Sequence, residues 1–117
     1  MGPDAEFRAA LARGRFLVQR GRTSGRAVFP PRIVEPGSGD ELEWFEASGL
    51  GTLYSTSIVR KRSPESDYNV VLVELEEGPR LMSRVTGIGS DEVRIGMVVK
   101  AAIDTSGDDP VLVFEPA

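Results

Sequence analysis

The sequence contains no cysteine and no histidine. Those absences exclude disulfides, thiol nucleophiles and imidazole as acid, base or metal ligand. Carboxylates are then the remaining acid–base candidates. Alternation along residues 70–75 puts Glu74 opposite Val73 and Leu75, on the solvent side, where a carboxylate makes an indifferent catalyst. The chain is therefore not expected to be an enzyme. Aromatics are also scarce, with one Trp, two Tyr and five Phe. Single-stranded nucleic-acid binding wants several exposed rings along a basic groove. Tyr54 is the aromatic best placed to stack, and the net charge is −4, which makes nucleic acid an unfavoured partner. No apolar run approaches the roughly 18 residues of a membrane span. The opening MGPDAEFRAALARG lacks a signal-peptide core, so the expectation is a cytoplasmic protein with no membrane partner.

What is present is segregated charge. Between Phe7 and Val34 stand seven arginines and no acid; from Glu35 to Glu46 stand five acids and no base. The two runs either compensate each other on a solvated surface or leave a basic face for an anionic partner. On the second reading Arg20, Arg22 and Arg26 are candidate partner contacts, since guanidinium forks suit carboxylates and phosphates.

The 117 residues suit one domain with a small appendage, burying roughly two-thirds of the unfolded surface. Pro3 and Asp4 open a helix, with Asp4 as candidate N-cap. Phe7, Ala10 and Leu11 form one apolar stripe, and Gly14 ends the element. A helix of about ten residues is not stable alone. It must dock on this chain or on another protein, which makes Phe7 and Leu11 candidate partner contacts. RFLVQR and RAVFPPR read as short strands of a small unit, 15–41, that has little to bury. From residue 42 the pattern is strands: LEWFEASG with GTLYSTSIVRK, then NVVLVELEE, RLMSRVTG, MVVKAAID and VLVFEP. The glycines at 49 and 51 predict a bulge or sharp bend. Leu53 or Tyr54, Val71, Val73, Leu75, Leu81, Val85, Val99 and Ile103 are expected inside. GSDEVRIG is a connector with one helical turn, capped by Ser90 or Asp91. Trp44 and Phe45 must face opposite ways, one toward the barrel and one under the small unit; Trp44 is a further candidate partner contact. Five strands with that connector fit a C-terminal OB-fold barrel over 42–117, behind an N-terminal helix at 1–14.

The stretch RGRTSGRAVFPPRIVEPGSG carries a spacing of its own. Gly21 and Ser24 stand three apart, ten residues intervene, and Glu35 and Ser38 again stand three apart. Cysteine at those places would make a zinc site of two C-x-x-C pairs. With LEWFEASGLGTLY, VLVELEEGPRLMSRVTG, DEVRIGMVV and the P-x-L-x-F-x-P ending, this stretch resembles the DUF-thirty-five family. That family combines an N-terminal helix, a rubredoxin-like zinc ribbon and an OB-fold. The ribbon frame matches at Arg20, Gly25, Pro30, Pro31, Arg32, Pro36 and Gly39. The four ligand positions have become Gly21, Ser24, Glu35 and Ser38, so the resemblance is to a ribbon without its metal, and neither metal nor cofactor is expected.

The resemblance further implies a non-catalytic accessory subunit of a thiolase-like or other acyl-CoA enzyme, encoded nearby. Helix and ribbon would dock on that enzyme, and the OB-fold would help complete an acyl-CoA site. Arg60, Lys61, Arg62, Arg80 and Arg84 are candidate contacts for CoA phosphates. The alternative is a single-stranded nucleic-acid-binding OB-fold protein.

Overall fold

A computed structural model describes residues 2–59 and 68–117 of the chain. Helix α1 (Pro3–Ala12) is followed by strands β1 (Leu17–Gly21), β2 (Ala27–Val28), β3 (Leu42–Glu46), β4 (Leu50–Val59), β5 (Tyr68–Leu75), β6 (Arg80–Ser83), β7 (Val98–Asp104) and β8 (Val111–Pro116). All pair antiparallel, in a three-stranded sheet ordered β2-β1-β3 and a five-stranded sheet ordered β6-β5-β4-β7-β8. The architecture is the expected mainly-β one: helix, small ribbon-like sheet and OB barrel.

The helix begins at the proline, whose fixed φ and missing N–H suit a first turn. Gly2, not Asp4, is its N-cap, and no side chain caps it; Asp4 lies inside the first turn and pairs with Arg8 at 3.2 Å. At the far end Gly14 turns the chain with φ +79°, a conformation open to glycine. The apolar stripe is buried within this chain. Ala10 and Leu11 are buried, and Phe7 packs edge-on against Phe16 and Phe29 at centroid distances of 6.3 and 5.6 Å.

The barrel closes between the end of β6 and β8. A parallel bridge joins Val85 to Phe114: Phe114 N–H donates to the Arg84 carbonyl at 2.9 Å, and Thr86 N–H donates to the Phe114 carbonyl at 2.8 Å. Leu53, Val71, Val73, Leu75, Leu81, Val85, Val99 and Phe114 fill the interior, and Phe16 and Val18 continue the same core into the small sheet. Ile103 is half-buried and Tyr54 is exposed. The register shifts between Leu53 and Ser55, so Tyr54 is the extra residue of a bulge in β4. Gly51 serves a different purpose: a β-carbon there would lie 2.6 Å from Val73 Cγ1 and 2.9 Å from the Glu74 carbonyl oxygen. It lets two strands coil tightly against each other.

Two further expectations are corrected. The helical turn at Ser90–Glu92 is a 3-10 turn preceded by Gly89, without a side-chain cap. And β3, expected to lead into the barrel, hydrogen-bonds instead to β1 over Leu17↔Glu46 through Gly21↔Leu42. The reason is charge and length: this register sets Arg20 opposite Glu43, and without β3 the small sheet would hold only the two residues of β2 against β1.

Candidate functional site

The stretch with zinc-like spacing forms two turns of the same design. In the first, Gly21 N–H donates to the Arg26 carbonyl at 3.0 Å and Gly25 N–H donates to the Gly21 carbonyl at 2.9 Å. In the second, fourteen residues on, Glu35 N–H donates to the Asp40 carbonyl and Gly39 N–H to the Glu35 carbonyl, both at 2.9 Å. The serine hydroxyls correspond too. Ser24 Oγ accepts from Arg26 N–H and Ser38 Oγ from Asp40 N–H, each at 3.2 Å. Positions 21 and 24 of one turn thus match 35 and 38 of the other, and the turns face each other.

Between them lies the carboxylate of Glu35, 3% exposed. Ser24 Oγ donates to its Oε2 at 2.5 Å, and the Arg26 guanidinium donates to its Oε1 at 2.8 Å. Asp40 sits at the edge of the same cluster, accepting from the backbone N–H of Thr23 at 2.8 Å and of Ser24 at 3.3 Å. The Ser24 hydroxyl holds the Glu35 carboxyl below its usual value of 4.5 against the opposing effect of burial, and Arg26 adds to it. The Thr23 N–H does the same for Asp40. A metal does not fit this donor set: two hydroxyls, one carboxylate already committed to hydrogen bonds and one glycine offer no thiolate or imidazole. Among the described residues no group of three or more His, Cys, Asp or Glu side chains converges as a metal site.

The lowered carboxyls give a pH dependence of known sign. A group whose pKa falls on folding stabilises the native state above its unfolded value and loses that contribution as pH drops through its folded value. Thermal stability, followed through the fluorescence of Trp44 in β3, is expected to be level above pH 4.5 and to decline below it. Glu35→Gln should shrink the decline. A transition centred near neutral pH would contradict this assignment.

The arginine run is largely compensated. Arg8, Arg15, Arg20, Arg22 and Arg26 pair with Asp4, Glu46, Glu43, Glu41 and Glu35 at 2.8 to 3.9 Å. Arg20 also lies 4.9 Å over the Phe45 ring. Of the proposed partner contacts, Arg26 is therefore part of the ribbon's own scaffold, Leu11 is buried, and Trp44 is half-buried with its Nε1–H donated to Glu6 Oε2 at 2.6 Å. Among the described residues, Arg13 and Arg32 are the arginines of the run without an ion pair. On the barrel, Arg80 lies 3.8 Å over the Tyr54 ring and 3.9 Å from Glu74, and Arg84 lies 3.8 Å from Asp104. One face of the Tyr54 ring is thus covered by Arg80. Arg60, Lys61 and Arg62 lie outside the described residues.

Sequence reasoning missed two buried amides. Gln19, 5% exposed, donates to the Arg32 carbonyl at 2.8 Å and accepts from the Arg32 N–H at 2.7 Å. Asn69 clamps Val85 in the same way, at 2.9 and 2.7 Å. An amide inside an apolar strand was the available signal, since a buried amide must find partners. Gln19 anchors the backbone at Arg32, and in the loop beyond it Ile33 stands 83% exposed, beside Val34 at 45%.

Comparison with known proteins now decides the family. Residues 44–104 match the family model described as ChsH2, C-terminal OB-fold domain. Over 104 residues the chain is 31% identical to a DUF35 domain-containing scaffold protein of Methanocaldococcus jannaschii, spanning 81% of this chain and 74% of that one. The chain belongs to the DUF35 family. A second relative is a probable enoyl-CoA hydratase alpha subunit of Thermomonospora curvata, 39% identical over 120 residues. This DUF35 chain aligns over 95% of its length there but spans only 36% of that subunit. Among solved structures, a chain of the Ltp2-ChsH2(DUF35) aldolase superposes with a TM-score of 0.85 at 30% identity, covering 97% of this chain and 94% of that one. A DUF35 protein of unknown function from Sulfolobus solfataricus shares the fold, with a TM-score of 0.69 at 15% identity over 97% and 84% of the two chains.

Proposed function

We propose that this DUF35 protein is a non-catalytic accessory subunit of an acyl-CoA enzyme of thiolase-like, hydratase or related type. The observation that carries the reading is the end-to-end match, 97% of one chain on 94% of the other, to a component of the Ltp2-ChsH2(DUF35) aldolase. The alignment with part of an enoyl-CoA hydratase alpha subunit supports the same class of partner. The chain's own chemistry agrees. It has neither cysteine nor histidine, and its lowered carboxyls lie in hydrogen-bonded turns rather than in a cleft with a base or nucleophile beside them.

Docking is assigned to the helix and ribbon side. There the loop at Arg32–Val34 offers an exposed aliphatic side chain, a guanidinium without an ion pair among the described residues and a backbone already held by Gln19. Order present before binding lowers the entropic cost of association. The barrel side is assigned a supporting part in acyl-CoA binding. Arg80 and Arg84 hold carboxylates only at 3.9 and 3.8 Å, long enough to exchange them for a phosphate of CoA.

Co-expression with the acyl-CoA enzyme encoded beside it tests the proposal. The two are expected to co-purify, with the enzyme's activity or solubility raised, while the isolated chain turns over no acyl-CoA. Turnover by the isolated chain would overturn the proposal. So would tight binding to a single-stranded oligonucleotide at physiological salt with no association to the enzyme.

A further inference from the structure

We infer that the Glu35 carboxylate is an internal replacement for the ribbon's metal ion, and that Gly21 is glycine because this carboxylate occupies the space its side chain would need. The two turns keep the backbone of a two-knuckle metal site, with matching hydrogen bonds at 21–26 and 35–40. All four side-chain positions converge. A β-carbon built on Gly21 would collide with Glu35 Oε2 and Ser24 Oγ and come within 2.9 Å of Asp40 Oδ2. Gly21 is not among the glycines with positive φ, so the backbone there is open to any residue and the requirement is for space alone. Where a zinc ion would draw four ligands inward, Glu35 reaches across from the second turn to the Ser24 hydroxyl and the Arg26 guanidinium of the first. The bridge is made by charge-assisted hydrogen bonds instead of coordination. Glycine at 21, serine at 24 and glutamate at 35 thus form one interdependent set, and the ribbon is expected to hold its shape in chelator.

The sign of one substitution tests this directly. Gly→Ala at a strand position with ordinary φ and free space raises stability by restricting the unfolded chain. Here Gly21→Ala is expected to lower Tm by about 5 °C or more, because the new methyl group displaces the carboxylate. Combined with Glu35→Ala it should cost less than the sum of the two single variants, since the collision with the carboxylate is gone and the Ser24 hydroxyl is free to turn away. An unchanged or raised Tm for Gly21→Ala, or strict additivity, would overturn the inference. A second arm asks whether the frame still surrounds one point. The full-length variant carrying Gly21→Cys, Ser24→Cys, Glu35→Cys and Ser38→Cys is expected to bind one zinc per chain and to give the thiolate-to-metal absorption of tetrahedral cobalt(II). A variant without those bands, folded or not, would overturn the inference, as would one zinc per chain in the unsubstituted protein.

Discussion

Val73→Asp is expected to leave no folded barrel. Val73 is fully buried and lies opposite Leu53 on β4 and Leu81 on β6. Gly51 passes so close that its hypothetical β-carbon would lie 2.6 Å from Val73 Cγ1. Its surroundings are the apolar side chains of the core, which offer a carboxylate no charge partner. An unpaired buried charge costs several kcal/mol even after relaxation, and the lost methyl packing adds about 1 kcal/mol more. The total stability of such a domain is on the order of 5–15 kcal/mol. Circular dichroism and the melting transition report the outcome. A cooperative transition within a few degrees of the parent would show that Val73 does not face the core.

Ile33→Asp should separate association from folding. The side chain is 83% exposed, so the change should move stability by no more than about 0.5 kcal/mol. If Ile33 is the anchor of the docking loop, its loss should weaken binding to the partner enzyme by about 30-fold, the effect of about 2 kcal/mol at an interface centre. Arg32→Glu should add a loss that shrinks at high salt. Titration calorimetry of the co-expressed pair measures both. Unchanged affinity with Ile33→Asp would move the docking surface off this loop. By contrast Arg20 and Arg22, which the charge pattern alone singled out, face Glu43 and Glu41 within the chain.

Much of the architecture was legible in the sequence. The alternation of Val71, Val73 and Leu75 predicts a strand with one buried face, and all three are buried. The helix ends near Gly14 because only a residue tolerant of positive φ suits that place. The spacing of positions 21, 24, 35 and 38 marks two facing turns, and the backbone builds both. What escaped was decided across the chain. Tyr54 points outward because β4 bulges there against β5, and a bulge belongs to a pair of strands. The Glu35 side chain is buried because Arg26 and Ser24 meet it; on its own, a glutamate in EPGSGDE reads as a solvated turn residue.

By itself, then, the sequence determined the donor chemistry and the local periodicities: no thiolate or imidazole for a metal, period-two strands for a barrel, a single apolar stripe on a short helix. These follow from residue identity and near-neighbour geometry alone. Only the tertiary structure decided which charges remain free and which are consumed. Antiparallel pairing of β1 with β3 sets Arg20 against Glu43, and the facing turns set Arg26 against Glu35. Ion pairs form between residues up to 31 positions apart, as Arg15 and Glu46 are, so the basic run and the acidic run that look like two faces in sequence become one compensated sheet in space. Among the described residues, Arg13, Arg32 and the exposed Ile33 are what that pairing leaves over.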